Sequence, residues 1–227
     1  MILLSKTKSS IADINDTRPI SLLPCFSKLN EKIFLMHFRK WISDNSLLPE
    51  EQTGFRSGHN MSTRIVAIVD QIGQGLAVNT ATAALFIDFK TAFNQLWFKC
   101  LWVKLKRLNC PLYIISWLRN YLLGRSAFIE IKGHKSTSFS LFKGVPQGSC
   151  LGPVLFIVFH YDILNAVSSL HFKHLFADDL AVVVSPSVTW SSNMIIPYLS
   201  DQIRSVIKDL YQYSITWKQP LNFKKAY

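Results

Sequence analysis

Apolar residues recur at helical spacing through SKLNEKIFLMHFRKWISDN, where Leu29, Ile33, Phe34, Phe38, Trp41 and Ile42 share one face and Ser27 stands at the position of a cap. The spacing predicts an amphipathic helix. LPEEQTGFRSGHN, punctuated by Pro49, Gly54 and Gly58, reads as a loop, and STRIVAIVDQIGQGL predicts a second helix ending near Gly73 or Gly75. ATAALFIDF is a short continuous apolar run of the kind that forms a buried strand, and it reaches Asp88. KTAFNQLWFKCLWVKLKRL follows at once, with Phe93, Leu96, Trp97, Leu101, Leu105 and Leu108 on one helical face. A strand therefore feeds a helix, with a carboxylate at the junction.

Further on, LYIISWLRNYLLG predicts a helix closed by Gly124. AFIEIKG alternates as a strand does, turns at GHKS and returns through TSFSLF, which predicts a hairpin. After the Gly- and Pro-rich GVPQGSCLGP, VLFIVFHYDILNAV is apolar enough for a buried helix, and HLFADDLAVVV, His174 to Val184, supplies two strands around Ala177, Asp178 and Asp179. Leu199, Ile203, Val206, Ile207, Leu210 and Tyr213 mark a last helix, with PLNFK as a closing edge strand. The residues through about Asn15 are small and polar and are expected at the surface. With no internal repeat, low-complexity tract or Gly/Ser linker, the elements are expected to pack continuously as an α+β fold, a sheet layered with helices.

Composition sharpens this picture in one direction. Of 227 residues, 49% are hydrophobic, enough for a sizeable core, while 25 Lys and Arg against 14 acidic residues give a formal charge of +11. Such a field attracts polyanions, either nucleic acid or an acidic membrane surface. The apolar run of MILLSKTKSS is too short for a signal peptide, and VLFIVF falls far below the roughly 18 residues of a membrane span. An intracellular protein is expected, in nucleus or cytoplasm. Cys25, Cys100, Cys110 and Cys150 have no metal-binding spacing and read as reduced core thiols, and His59, His134, His160, His171 and His174 form no zinc motif.

Candidate chemistry concentrates at Asp178 and Asp179. Adjacent aspartates ordinarily mark an exposed turn, where water screens their repulsion. Here apolar runs on both sides bring the pair toward a core, where two carboxylates call for a cation, and Mg²⁺ takes one or two carboxylates while keeping positions for phosphates. Asp88 is the best second source of a carboxylate; it fits a helix cap as well. Three carboxylates from separate strands hold two metals about 3.5–4 Å apart, the arrangement used in phosphoryl transfer. With a basic surface, that chemistry points to nucleotidyl transfer on a polynucleotide.

LFIDFKTAFNQLW, GVPQGSCLGPVLF and FADDLAVVV, in this order, resemble the central motifs of reverse transcriptases, most closely those of non-LTR retrotransposons. DTRPISLLPCFSKLNEKIF and LPEEQTGFRSGHN resemble the upstream finger motifs of that family, and WKQPLNFKK resembles the motif after the paired aspartates. The resemblance spans about Thr17 to Lys225. It implies an RNA-directed DNA polymerase of right-hand architecture, with fingers over approximately 1–80 and a palm with inserted finger elements over 81–227, the palm sheet antiparallel and the thumb absent. It implies that Asp88, Asp178 and Asp179, with the Phe89 carbonyl, bind two Mg²⁺ ions, Mn²⁺ being a possible substitute, and that Asp178 is the stronger ligand of the pair. Phe93 matches an aromatic gate that excludes the 2′-hydroxyl, and it also suits a helix core. Gln147 and Gly148 match a loop along template and nucleotide, and equally an ordinary Pro-Gly turn. Arg56 matches a residue gripping the triphosphate, with Arg18 in the same region, and Lys225 beside Lys224 matches a proton donor to pyrophosphate. Asn94 stands where relatives often carry an acidic residue. The implied partners are an RNA template, a DNA primer and deoxynucleoside triphosphates, with no membrane and no obligate protein partner. A truncated element is one expected origin, and a remnant that binds RNA or DNA without turnover is the alternative.

Overall fold

The valine-rich run after Asp179 becomes the middle strand of a three-stranded antiparallel sheet, covered on both faces. The structure is a computed structural model that describes residues 1–5, 17–78, 80–90, 92–186 and 191–222. In chain order the elements are β1 (Ile2–Ser5), β2 (Thr17–Ile20), α1 (Cys25–Asp44), α2 (Met61–Ala77), β3 (Ala83–Ile87), α3 (Ala92–Gln95), α4 (Phe98–Arg107) and α5 (Leu112–Leu122). They continue with β4 (Ser126–Ala127), β5 (Glu130–Ile131), β6 (His134–Lys135), β7 (Phe139–Ser140), α6 (Gly152–Phe159), a 3₁₀ turn at Ile163–Ala166, β8 (Phe172–Phe176), β9 (Asp179–Val184) and α7 (Ser192–Trp217). Two compact units divide the chain, one of Met1–Ser46 with Phe93–Phe156, the other of Leu47–Ala92 with Ile157–Tyr227.

The second unit holds the sheet, in the order β3-β9-β8. Leu180, Ala181, Val182, Val183 and Val184 are all at most 5% exposed, so both faces of β9 are buried and its apolar run need not alternate. Helix α7 packs on β3 and β9, and α2 on β8 and β9. Along α7, Leu199, Val206, Leu210 and Tyr213 are buried as the helical period predicts, whereas Ile207 faces outward. Phe89, His160, Tyr213, Trp217 and Phe159 form an aromatic cluster, with Phe89 and His160 ring centroids 5.1 Å apart.

The first unit is built around α1, whose Phe34, Leu35, Phe38, Trp41 and Ile42 are buried, Phe34 stacking on Trp117 of α5. Helix α1 begins two residues before Ser27 and is preceded by Pro24, which makes no side-chain cap. Leu29 and Ile33 are exposed, because α1 carries a second apolar stripe that periodicity alone does not separate from the core face. The single helix expected from KTAFNQLWFKCLWVKLKRL is broken into α3 and α4. Gly144 N–H and Val145 N–H donate to the carbonyls of Leu96 and Phe93, at 2.7 and 3.0 Å, taking acceptors that a continuing helix would use.

The hairpin turns at Lys132 and Gly133, both at positive φ (49° and 82°), so the return begins at His134, earlier than TSFSLF suggests. At the N-terminus, β1 pairs antiparallel with β2, so part of the polar opening segment is strand. The expected closing strand is a single bridge, Leu221 with Phe89, and Phe223, Lys224 and Lys225 lie outside the described residues. Cys100 and Cys110 are buried, and burial pushes the Cys110 thiol up to about 12, whereas Cys25 is exposed. Among the described residues no helix is long and apolar enough to cross a membrane.

Candidate active site

Strand register brings the three aspartates to one end of the sheet. Ile87 pairs with Leu180, so Asp88 follows in line with Asp179, the first residue of β9. Phe176 pairs with Asp179, which leaves Ala177 and Asp178 as a two-residue turn between β8 and β9. Asp178 and Asp88 are half-buried and Asp179 is exposed. The cap role for Asp88 falls away, since Phe89, Lys90 and Thr91 separate it from α3. Its carboxylate Oδ2 instead accepts from Asn222 Nδ2 at 3.1 Å, and its carbonyl accepts from Asn222 N–H at 2.8 Å. With Lys90 N–H donating to Pro220 O at 2.8 Å, the chain around Asn222 fastens the end of β3. Phe89 turns its ring into the core, 3% exposed, beneath this end of the strand.

The donors at this end are carboxylate oxygens, the set preferred by a hard divalent cation over a thiophilic one. Among the described residues no three His, Cys, Asp or Glu side chains are drawn into a closed metal cage. The fit lies in donor chemistry and backbone placement.

A loop of the same unit supports the Asp178 turn. Thr53 N–H donates to Leu175 O at 2.9 Å and Leu175 N–H to Glu51 O at 3.0 Å, so Gln52 makes a single parallel bridge to β8. Gln52 reaches Ala177 from there, Oε1 accepting from its N–H at 3.0 Å. Gly54 lies so close to Ala177 that a side chain would strike its backbone. Thr53 Oγ1 meets His174 Nε2 at 3.3 Å. Burial holds the His174 imidazole below its ordinary value. Arg56 turns inward on this loop, donating through Nη1 to the carbonyls of Pro49 (2.6 Å) and Gln52 (3.1 Å), with Nη2 3.6 Å from Glu50.

The other unit gathers Phe93, Asn94, Gln147 and Gly148. The half-buried Phe93 ring lies 4.8 Å from that of Phe156. Gln147 Nε2 donates to Asn94 Oδ1 at 3.0 Å, so the amide at position 94 serves as an uncharged acceptor. Gly148 has φ 112°, and a Cβ there would lie 2.6 Å from Ser21 O, so its open side is filled by this chain's own backbone. A cavity of about 500 Å³ opens here, lined among others by Ser21, Asn94, Arg125, Lys143 and Gln147. Beneath the loop, the fully buried Glu31 accepts from Tyr121 Oη (2.6 Å), Ser149 Oγ (2.9 Å) and Cys150 N–H (2.7 Å). Arg18 is exposed on β2, and Lys225 lies outside the described residues.

The comparison with known proteins decides what this arrangement belongs to. A family model described as reverse transcriptase (RNA-dependent DNA polymerase) matches residues 6–226. The chain belongs to the reverse transcriptase family. A probable RNA-directed DNA polymerase from transposon X-element of Drosophila melanogaster is 34% identical over 168 residues, 73% of this chain and 18% of that protein. The RNA-directed DNA polymerase from mobile element jockey of the same species is 28% identical over 234 residues, 100% of this chain and 24% of that protein. The chain thus spans about a quarter or less of the length of these curated relatives. Among solved structures, apo telomerase from Candida tropicalis truncated from its C-terminal domain superposes with a TM-score of 0.59 at 12% identity, covering 86% of this chain and 40% of that one. Telomerase from Candida albicans, in complex with a fragment of telomeric RNA, superposes at 0.57 and 12%, covering 89% and 35%. These likenesses show a reverse transcriptase fold of mixed helix and sheet.

Two polar residues that bond to the aspartate-bearing end of the sheet, Gln52 and Asn222, are not evident from local sequence, and in the other unit the buried Glu31 is not among the expected site residues either. Gln52 and Asn222 lie in polar stretches where nothing local marks burial or pairing. Glu31 does leave a signal, since it occupies a core position one helical turn before Phe34 and Leu35.

Proposed function

We propose that this chain is the fingers and palm of an RNA-directed DNA polymerase of the non-LTR retrotransposon kind, transferring deoxynucleotides from triphosphates to a primer 3′-hydroxyl on an RNA template. The observation that carries the reading is the register of β3 on β9, which sets Asp88 in line with Asp179, next to the turn residue Asp178. In this reading Asp88, Asp178, Asp179 and the Phe89 carbonyl hold two Mg²⁺ ions, or Mn²⁺ in their place. Such ions activate an attacking hydroxyl and stabilise the leaving pyrophosphate. Asn222 keeps Asp88 oriented. Phe93 presents a ring where a 2′-hydroxyl would lie, Gln147 and Gly148 line template and nucleotide, Arg56 meets the triphosphate, and Lys225 supplies a proton to pyrophosphate. Residues 1–80 correspond to fingers, and 81–227 to the palm with inserted finger elements.

Primer extension on an RNA template tests the reading directly. Purified protein is expected to incorporate deoxynucleotides in Mg²⁺, and Asp178→Ala is expected to abolish that incorporation. Equal incorporation by both proteins removes Asp178 from the site. Salt-sensitive RNA binding with no incorporation by either supports the alternative, a remnant that only binds nucleic acid.

A further inference from the structure

Gln52 is 1% exposed, and a buried amide must place its donors and acceptors on nearby partners. Its Oε1 accepts from Ala177 N–H at 3.0 Å and from Gly54 N–H at 2.9 Å, while Nε2 lies 3.4 Å from Ala177 O. One side chain thus grips both the N–H and the carbonyl of Ala177. Ala177 needs such holding, because its φ of 58° is a left-handed conformation that an L-residue adopts at a cost and keeps only where its surroundings impose it. Asp178 follows immediately. The Ala177 carbonyl belongs to the peptide plane that carries Asp178, so a rotation of that plane redirects the carboxylate.

We infer that Gln52 is a positioning residue for Asp178, holding the Ala177 peptide so that the next carboxylate keeps the placement it would need to bind a divalent cation. The inference rests on the metal-site reading of Asp178. Gln52 also bonds to the loop behind it, since its own carbonyl accepts from Arg56 Nη1 at 3.1 Å. The hold on the turn is therefore continuous with the segment assigned to the triphosphate.

The test is Mn²⁺ binding to the full chain, followed by electron paramagnetic resonance, for wild type, Asp178→Ala, Gln52→Leu, Gln52→Glu and Gln52→Asn, with thermal melting and hydrogen exchange at the Ala177 amide alongside. Gln52→Leu removes the grip at similar volume. Loss of a residue that orients a metal ligand typically weakens metal binding about 10–100-fold. That loss is expected here, together with faster exchange at Ala177. Gln52→Glu keeps the acceptor oxygen and, when protonated, is an isostere, so it is expected to bind Mn²⁺ within about threefold of wild type. A folded Gln52→Leu that binds as wild type does, while Asp178→Ala does not, overturns this inference alone. Equal binding by wild type and Asp178→Ala overturns the metal reading with it. If Gln52→Leu does not fold, Gln52→Asn, which keeps the amide but is one methylene too short to hold Ala177, decides: a folded protein that binds Mn²⁺ as wild type does overturns the inference, and affinity lowered about tenfold or more with faster exchange at the Ala177 amide upholds it.

Discussion

An alanine at Gly54 would drive its Cβ into the Ala177 backbone nitrogen, and backbone, unlike a flexible side chain, has little freedom to give way. The strain falls on the turn that carries Asp178. Gly54→Ala is expected to cost about 1–3 kcal/mol, typical of forced overpacking. It should also lower Mg²⁺-dependent primer extension at least tenfold, by more than the loss of folded protein explains; urea denaturation and extension on the same preparation check both parts. Glu31 makes the opposite kind of demand, since three donors converge on its buried carboxylate. Burial first, then the bond to Glu31, keeps the Tyr121 phenol protonated far above neutral pH, so it remains a donor. Glu31→Ala leaves Tyr121, Ser149 and Cys150 without this acceptor, at about 1–3 kcal/mol for each buried group left unsatisfied. The urea midpoint should fall steeply in Glu31→Ala and less in Glu31→Gln, which keeps one acceptor oxygen.

At the scale of elements, β8 and the residue before it carry a pH dependence. His171 and His174 are 7% and 5% exposed, and burial is the leading cause that lowers both below the ordinary 6.5. A histidine held neutral in the fold binds more protons when unfolded, so its contribution is fully present above pH 6.5 and is lost as pH falls through the lowered folded value. Melting temperature should therefore drop as pH falls below about 6.5, and His174→Gln should flatten that drop; an unchanged slope would remove His174 as its source. The same elements show what the chain reveals locally. β9 is legible because a continuous apolar run marks a strand buried on both faces, α7 because its period reflects burial along the element itself, and the placement of the three aspartates at strand ends because their flanking runs are strong. The break between α3 and α4 is not, since the groups that cause it, Gly144 and Val145, arrive from a distant loop. Gln52 is hidden for the same reason: its partner Ala177 lies 125 residues away, and Asp88 and Asn222 are 134 apart. Periodicity reports which face is buried; it carries no information on which remote backbone group a polar side chain will meet.

At the scale of the whole molecule, binding and turnover are expected to rest on different residues. The formal charge of +11 is spread over exposed cations that include Lys28, Lys32, Arg39 and Lys40 on α1 and Lys99, Lys106 and Arg107 on α4, none of them among the candidate metal ligands. Attraction of a polyanion grows with phosphates neutralised and counterions released, so it is set by such cations and by salt. In the proposed reading turnover instead rests on the carboxylates, which repel the same polyanion unless a metal is bound. Asp178→Ala should therefore leave RNA binding intact, or slightly tighter, in the absence of divalent ions while abolishing incorporation. For single-stranded RNA, log Kd is expected to rise with log salt by about 0.7 for each phosphate neutralised, so a footprint of five phosphates gives a slope of about 3.5. Replacing Lys28 and Lys32 by alanine should lower that slope by about 0.7 for each phosphate left without its cation, with no change in the Mg²⁺ dependence of extension. Fluorescence anisotropy across a salt series measures the slope. A salt-independent Kd would contradict the electrostatic account, and a slope that changes on Asp178→Ala rather than on the lysine substitutions would place RNA on the carboxylate end of the sheet instead.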